Sequence, residues 1–285
     1  MLELERYYAV CRAARRLGLR TLSVVNGTRI RNLEDAKRIL LDGPSEISVS
    51  LDGWSAAMHD RLRGVQGAFA IATRAIRLLV EAKHQTGLES PCVYIMGLIH
   101  THTYQELERF YELARDLGVD KLKTNLIQPS FGATAPDQAF VELGAMHGAE
   151  LARVLHHCDQ RFRLGLNPAF LVAIREYCDA IACACGREQG WDIPARTRSV
   201  ICNSWTRNIM VDSSGRARLC FHGAFPSIQL REWGDLRKFW DQATWREAMS
   251  ECRRVCGISH SVRAASATIP NALANSSVPD RAPLG

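Results

Sequence analysis

Glu46-Ile47-Ser48-Val49-Ser50-Leu51-Asp52-Gly53 is the stretch on which the fold turns. Glu46 to Leu51 reads as a strand, and Asp52-Gly53 are turn formers that stop it. The same unit occurs upstream. Thr21 to Val25 is short, apolar and β-branched, and ends at Asn26-Gly27, residues that tolerate the positive backbone angles of a tight turn. Between the two strands a helix begins near Asn32, with Leu33, Ala36, Ile39 and Leu40 apolar, and before them Leu4, Tyr8, Cys11, Ala14 and Leu17 recur at helical spacing over residues 2–18. Downstream the alternation continues. Gly67 to Lys83 predicts a helix with Phe69, Ala72, Ile76 and Leu79 on one face, Cys92 to Ile99 a strand, Tyr104 to Leu117 a helix capped by Gly118, and Lys121 to Ile127 a fourth strand. Strands read as apolar on both faces, alternating with helices of ten residues or more, give an α/β fold with a parallel sheet covered by helices.

From Pro136 the rhythm becomes helix-rich, with Ala139 to Cys158 and Pro168 to Ala182 as the predicted helices. Beyond Arg187 the chain turns short-stranded. Thr206 to Val211 and Arg216 to Phe221 flank the hairpin turn Asp212 to Gly215, and short helices are expected near Asp235 to Trp240 and Thr244 to Cys252. The last two dozen residues are rich in Ala, Ser and Pro without periodicity, the composition of a disordered tail. The expected divisions are 1–135, 136–195, 196–261 and 262–285.

The 285 residues, 47% apolar and 23% charged, are enough for a large domain and a smaller one. The net charge of +6 is spread along the chain rather than gathered in a basic block, so no nucleic-acid partner is expected. There is no apolar run near 18 residues and no signal-peptide core at the N-terminus, which predicts a cytoplasmic protein without a membrane partner. In a reducing compartment the ten cysteines are poor candidates for disulfides. Cys11, Cys92, Cys158 and Cys178 fall on apolar faces of predicted elements and read as core.

Four others are paired. Twelve residues separate Cys202 from Gly215 and four more precede Cys220, while Cys252 and Cys256 stand three residues apart with His260 beyond. Soft thiolates converging from a hairpin and a helix end suit zinc or an iron-sulfur cluster. Cys183 and Cys185 are close enough in sequence to replace one of the four.

The strand Glu46 to Gly53, followed by His59-Asp60-Arg61-Leu62-Arg63-Gly64 and a long helix, resembles the fourth strand and following helix of radical S-adenosylmethionine (SAM) enzymes. Val25-Asn26-Gly27 resembles that family's Thr-Asn-Gly at the end of the third strand. Cys202 to Cys256, with Trp205 and Val211-Asp212, resembles the SPASM or Twitch domain, whose opening pattern is a cysteine, nine to fifteen residues, a glycine, four residues and a cysteine. The family's Cys-x3-Cys-x2-Cys loop and Gly-Gly-Glu segment are not present. The resemblance therefore implies a partial (β/α) barrel of the radical SAM type missing its first two strands, followed by a small cysteine-rich α+β domain. It further implies either a fragment of a longer product or a separate chain that supplies those strands.

In the family a catalytic cluster reduces SAM, and the radical so formed takes hydrogen from the substrate. The resemblance places Asn26, Ser50 and Asp52 along the SAM side of the barrel, Arg63 against the methionyl carboxylate, and an auxiliary 4Fe-4S cluster on Cys202, Cys220, Cys252 and Cys256. It implies a peptide- or protein-modifying maturase, or its C-terminal part, that does not cleave SAM alone. The alternative is a non-catalytic remnant or a zinc-stabilised interaction module. His100 and His102 receive no role.

Overall fold

The computed structural model describes residues 4–101, 103–126, 147–166, 168–172, 174–175, 178, 200–202, 208–219, 227–242, 244–245, 247 and 262–264. Helix α1 (Leu4–Arg16) leads into β1 (Leu22–Val25), and α2 (Leu33–Asp42) into β2 (Glu46–Ser50). A short α3 (Ala56–Arg63) and the long α4 (Ala68–Thr86) precede β3 (Cys92–Ile99). A 3-10 turn at Tyr104–Glu106 then runs into α5 (Leu107–Asp116), which leads to β4 (Lys121–Leu126). The four strands form one parallel sheet in the order β1-β2-β3-β4. Each strand arrives beside its predecessor through a helix, as a parallel connection requires.

The sheet has two unlike faces, which corrects the expectation of strands apolar on both. Ile47, Val49, Leu51, Val93, Ile95, Ile99 and Leu126 are buried on the face that the helices cover. Tyr7 of α1 donates to Ser23 Oγ at 2.8 Å, and Phe110 of α5 lies over Gly97, where a Cβ would stand 2.5 Å from the ring. The opposite face presents Ser48 and Ser50 from β2, Tyr94 and Met96 from β3, and Lys121, Lys123 and Asn125 from β4, rows matched by the register. Among the described residues β1 is an edge strand, and its Leu22 and Val24 are 49% and 50% exposed.

The chain divides into two units, Met1–Ile127 with Arg153–Gly165, and Gln128–Ala152 with Leu166–Gly285. Residues 153–165, which the sequence assigns to a connecting segment, thus join the first unit. There they continue α6 (Gly148–Phe162), whose Phe162 stacks on Tyr111 at 5.3 Å and whose Arg161 pairs with Glu108 and Glu112 of α5.

In the second unit β6 (Met210–Val211) and β7 (Arg216–Arg218) form the expected hairpin, and β8 (Ser227–Gln229) extends it to three antiparallel strands. The turn is set by Asp212, which accepts from the Ser214 amide at 2.9 Å, Ser214 Oγ at 2.6 Å and the Arg216 amide at 3.1 Å, while Gly215 adopts φ +81°. Helix α7 (Trp233–Asp241) packs Phe239 against Ala217 and Leu219, with Trp245 edge-on to Phe239 at 4.6 Å. A further pair joins β5 (Val200–Cys202) to β9 (Val262–Ala264). Strand β9 occupies the first three residues of the segment expected as a tail and is too short to express an alternation in sequence.

Cys11, Cys158 and Cys178 are buried and Cys92 is half-buried. Burial pushes the Cys158 thiol up to about 11 and raises those of Cys11 and Cys92. No helix among the described residues is long and apolar enough to cross a membrane.

Candidate functional site

The carboxyl ends of the parallel strands gather the residues singled out in the first unit, the location where ligands of α/β sheets sit. Asn26 is exposed beyond β1, and its Oδ1 accepts from the Thr28 amide at 3.1 Å and Thr28 Oγ1 at 2.7 Å. Gly27 follows with φ +83°, held close to α4, so that a Cβ would meet that of Ala75 at 2.9 Å. Ser50 ends β2 beside Met96, and Leu51 donates its amide to the Met96 carbonyl at 3.0 Å.

Past that bond the chain leaves the ladder, and Asp52 is held by α3. The Asp52 amide donates to His59 Nδ1 at 2.9 Å, and its Oδ2 accepts from Arg63 Nε at 2.6 Å. His59 and Arg63 stand four residues apart, one helical turn, so both face the strand end. Between them Asp60 turns to the next element, accepting from the amides of Gly67 at 2.7 Å and Phe69 at 2.7 Å where α4 begins. Ser55 caps α3 by accepting from the Met58 amide, and Gly64 ends it with φ 64°. Helix α3 thereby fastens the tip of β2 to the start of α4 through polar side chains.

Asp52 is 8% exposed and His59 2%. Burial raises the Asp52 carboxyl above the ordinary carboxylate range, opposed by Arg63 and His59. Burial lowers the His59 imidazole below its ordinary value near 6.5, opposed in part by Asp52. Two amide bonds hold Asp60 below the ordinary range.

Asn26, Ser50, Asp52 and Arg63 are therefore at one end of the sheet. Arg63, assigned from sequence to a ligand carboxylate, here pairs with the carboxylate of Asp52. His59 and Asp60 are the site residues that sequence reasoning passed over, although the four-residue spacing of His59 and Arg63 was a legible signal. His100 is buried at the end of β3, its amide donating to Thr103 Oγ1 at 2.7 Å; His102 lies outside the described residues. Of the cysteine quartet, Cys202 is in β5, opposite Val262, whereas Cys220, Cys252 and Cys256 lie outside the described residues, as do Cys183, Cys185, Trp205 and His260. The described residues contain no group of three or more potential metal ligands.

No family model matches the chain. Three curated relatives carry the name AdoMet-dependent heme synthase. The protein of Oleidesulfovibrio alaskensis is 43% identical over 75 residues, 26% of this chain and 19% of its own length. That of Methanosarcina barkeri is 25% identical over 149 residues, covering 52% and 38%, and that of Nitratidesulfovibrio vulgaris is 35% identical over 95, covering 33% and 24%. These matches are to SAM-dependent enzymes and support the radical SAM resemblance read from the sequence. The chain also shares its fold with the crystal structure of Streptococcus suis SuiB, at a TM-score of 0.56 and 14% identity over 84% of this chain and 52% of SuiB. In each curated relative the match spans well under two thirds of the length.

Proposed function

We propose that this chain is part of a SAM-dependent enzyme that modifies a peptide or protein, receiving SAM at the carboxyl ends of β1 and β2 and an auxiliary 4Fe-4S cluster on Cys202, Cys220, Cys252 and Cys256. The observation that carries the SAM site is the Asp52–Arg63 pair at a strand end, next to Ser50 and Asn26. This donor set fits an amino acid head group, since Arg63 offers a planar guanidinium to a carboxylate and Asp52 a carboxylate to an ammonium. When bound, SAM supplies the sulfonium whose reduction starts the family's chemistry. The chain's own part is to orient that ligand on rigid strand ends and keep water from it. The exposed edge of β1, with Leu22 and Val24, supports the addition of further strands from a preceding segment or a separate chain.

Isothermal titration of the full chain with SAM tests the site. Saturable binding that is lost in Asp52→Ala and Arg63→Ala is expected, and no uptake by the wild type would refute it. For the second centre, anaerobic reconstitution should give about four iron and four sulfide per chain with a broad band near 400 nm, abolished in Cys202→Ala/Cys220→Ala. Colourless protein with stoichiometric zinc would instead favour the interaction module.

A second substrate reading has its own observation, the shared name of the three curated relatives, which points to a haem precursor. Titration with a porphyrin separates the two. A saturable shift of the porphyrin band favours the tetrapyrrole, and its absence favours the peptide.

A further inference from the structure

We propose that His59 is a positioning residue, whose bare Nδ1 holds the Asp52 amide and so fixes the angle at which the tip of β2 presents Asp52 to Arg63 and to the ligand. This inference deepens the SAM-site reading and rests on it for the identity of that ligand.

The Asp52 amide can only donate, so at 2.9 Å His59 Nδ1 must accept. The imidazole is then neutral, with its proton on Nε2. The ring is 2% exposed and stands edge-on to Phe69 at 6.2 Å and 61°, which fixes its plane. Along β2 the odd residues bond β3, as the Leu51 amide does on Met96, and the even residues bond β1, whose register with β2 ends at Val25 opposite Val49, so the Asp52 amide lies past the end of that ladder. His59 supplies the acceptor. One turn later in the same helix Arg63 takes the carboxylate at 2.6 Å, so Asp52 is gripped at both ends of its residue by α3.

The charged groups facing the ring are Asp52 beyond the end of β2 and Arg63 and Asp60 from α3. The carboxylates favour protonation of His59, while Arg63 and burial oppose it, and burial is the largest influence. Protonation at Nδ1 would set one N–H against another and release the strand tip. The arrangement therefore holds at neutral pH and loosens on acidification.

His59→Asn keeps an acceptor oxygen near the position of Nδ1 but cannot titrate, whereas His59→Leu removes the acceptor. In the full chain, long-range 15N spectra are expected to show an unprotonated Nδ1, and the Asp52 amide resonance should move in His59→Leu but stay close to wild type in His59→Asn. SAM affinity should weaken roughly tenfold in His59→Leu, the loss of about one hydrogen bond. It should be retained in His59→Asn, with the wild type's loss of affinity at acid pH flattened. A protonated Nδ1 at neutral pH, an Asp52 amide indifferent to His59→Leu, or equal weakening in both variants would overturn the proposal. Should the wild type take up no SAM, the site reading fails, and the Asp52 amide and imidazole resonances still decide the role of His59. Thermal melts of both variants identify any general loss of folding.

Discussion

Gly27→Ala tests how closely the end of β1 is packed on α4. The residue has φ +83°, and the added methyl would stand 2.9 Å from Ala75 Cβ and 3.4 Å from Ala72 Cα. A left-handed backbone costs an L-residue about 1–2 kcal/mol, and forcing a methyl into a packed interface costs about 1–3 kcal/mol. Lower chain entropy in the unfolded state returns about 0.4–1 kcal/mol. The expected destabilisation is therefore about 1–5 kcal/mol. Gly87→Ala is the control, because Gly87 has φ +65° with nothing within 4 Å and so carries the backbone penalty alone. Urea unfolding of the two variants, followed by hydrogen exchange of the β1 and α4 peptides, should separate them by about 1–3 kcal/mol. Adding Ala75→Gly to Gly27→Ala should recover part of the difference in a double-mutant cycle. Equal midpoints for Gly27→Ala and Gly87→Ala, or no coupling to Ala75, would refute the packing argument.

Phe110→Ala should destabilise the first unit by about 3–5 kcal/mol in denaturant titrations, since the ring is fully buried over Gly97. Tyr94→Phe should be neutral or stabilising by up to about 1 kcal/mol, because among the described residues the buried Tyr94 hydroxyl has no hydrogen-bond partner of good geometry and burial pushes its phenol up to about 12. In the second unit Asp212 is held down to about 2 by its turn hydrogen bonds. A depressed folded pKa means that its stabilisation is present above the unfolded value near 3.9 and is lost as pH falls toward 2. Carbonyl NMR should show that low midpoint, and Asp212→Asn should remove it together with the acid sensitivity of the hairpin.

Apolar residues recurring at alternate positions, Ile47, Val49 and Leu51 or Val93, Ile95 and Ile99, made the parallel half readable, because these strands are long enough to express the period. Helix α3 was missed for the opposite reason. Of its residues only His59 is buried, so no apolar stripe announces it, and it is held by the Ser55 cap, the left-handed Gly64 and the polar contacts of His59, Asp60 and Arg63. Strands β5, β8 and β9 are three residues each, below the length at which a period of two becomes visible. The unlike faces of the sheet were masked by reading the strands together as apolar on both faces, when Ser48 and Ser50 alternate with Ile47 and Val49. At the site, strand ends were legible from their turn residues Asn26-Gly27 and Asp52-Gly53. The Asp52–Arg63 pair was not, because it requires the intervening chain to fold back as a helix, and nothing local to either residue announces that return.

The open border of β1 has a practical meaning for anyone handling this polypeptide. A parallel strand that has no neighbour along one side among the described residues, with Leu22 and Val24 half in water, is a template on which other extended chains can grow. Concentrated samples should accordingly self-associate, and lysine placed at Leu22 or Val24 should improve solubility while leaving the helix-covered face untouched.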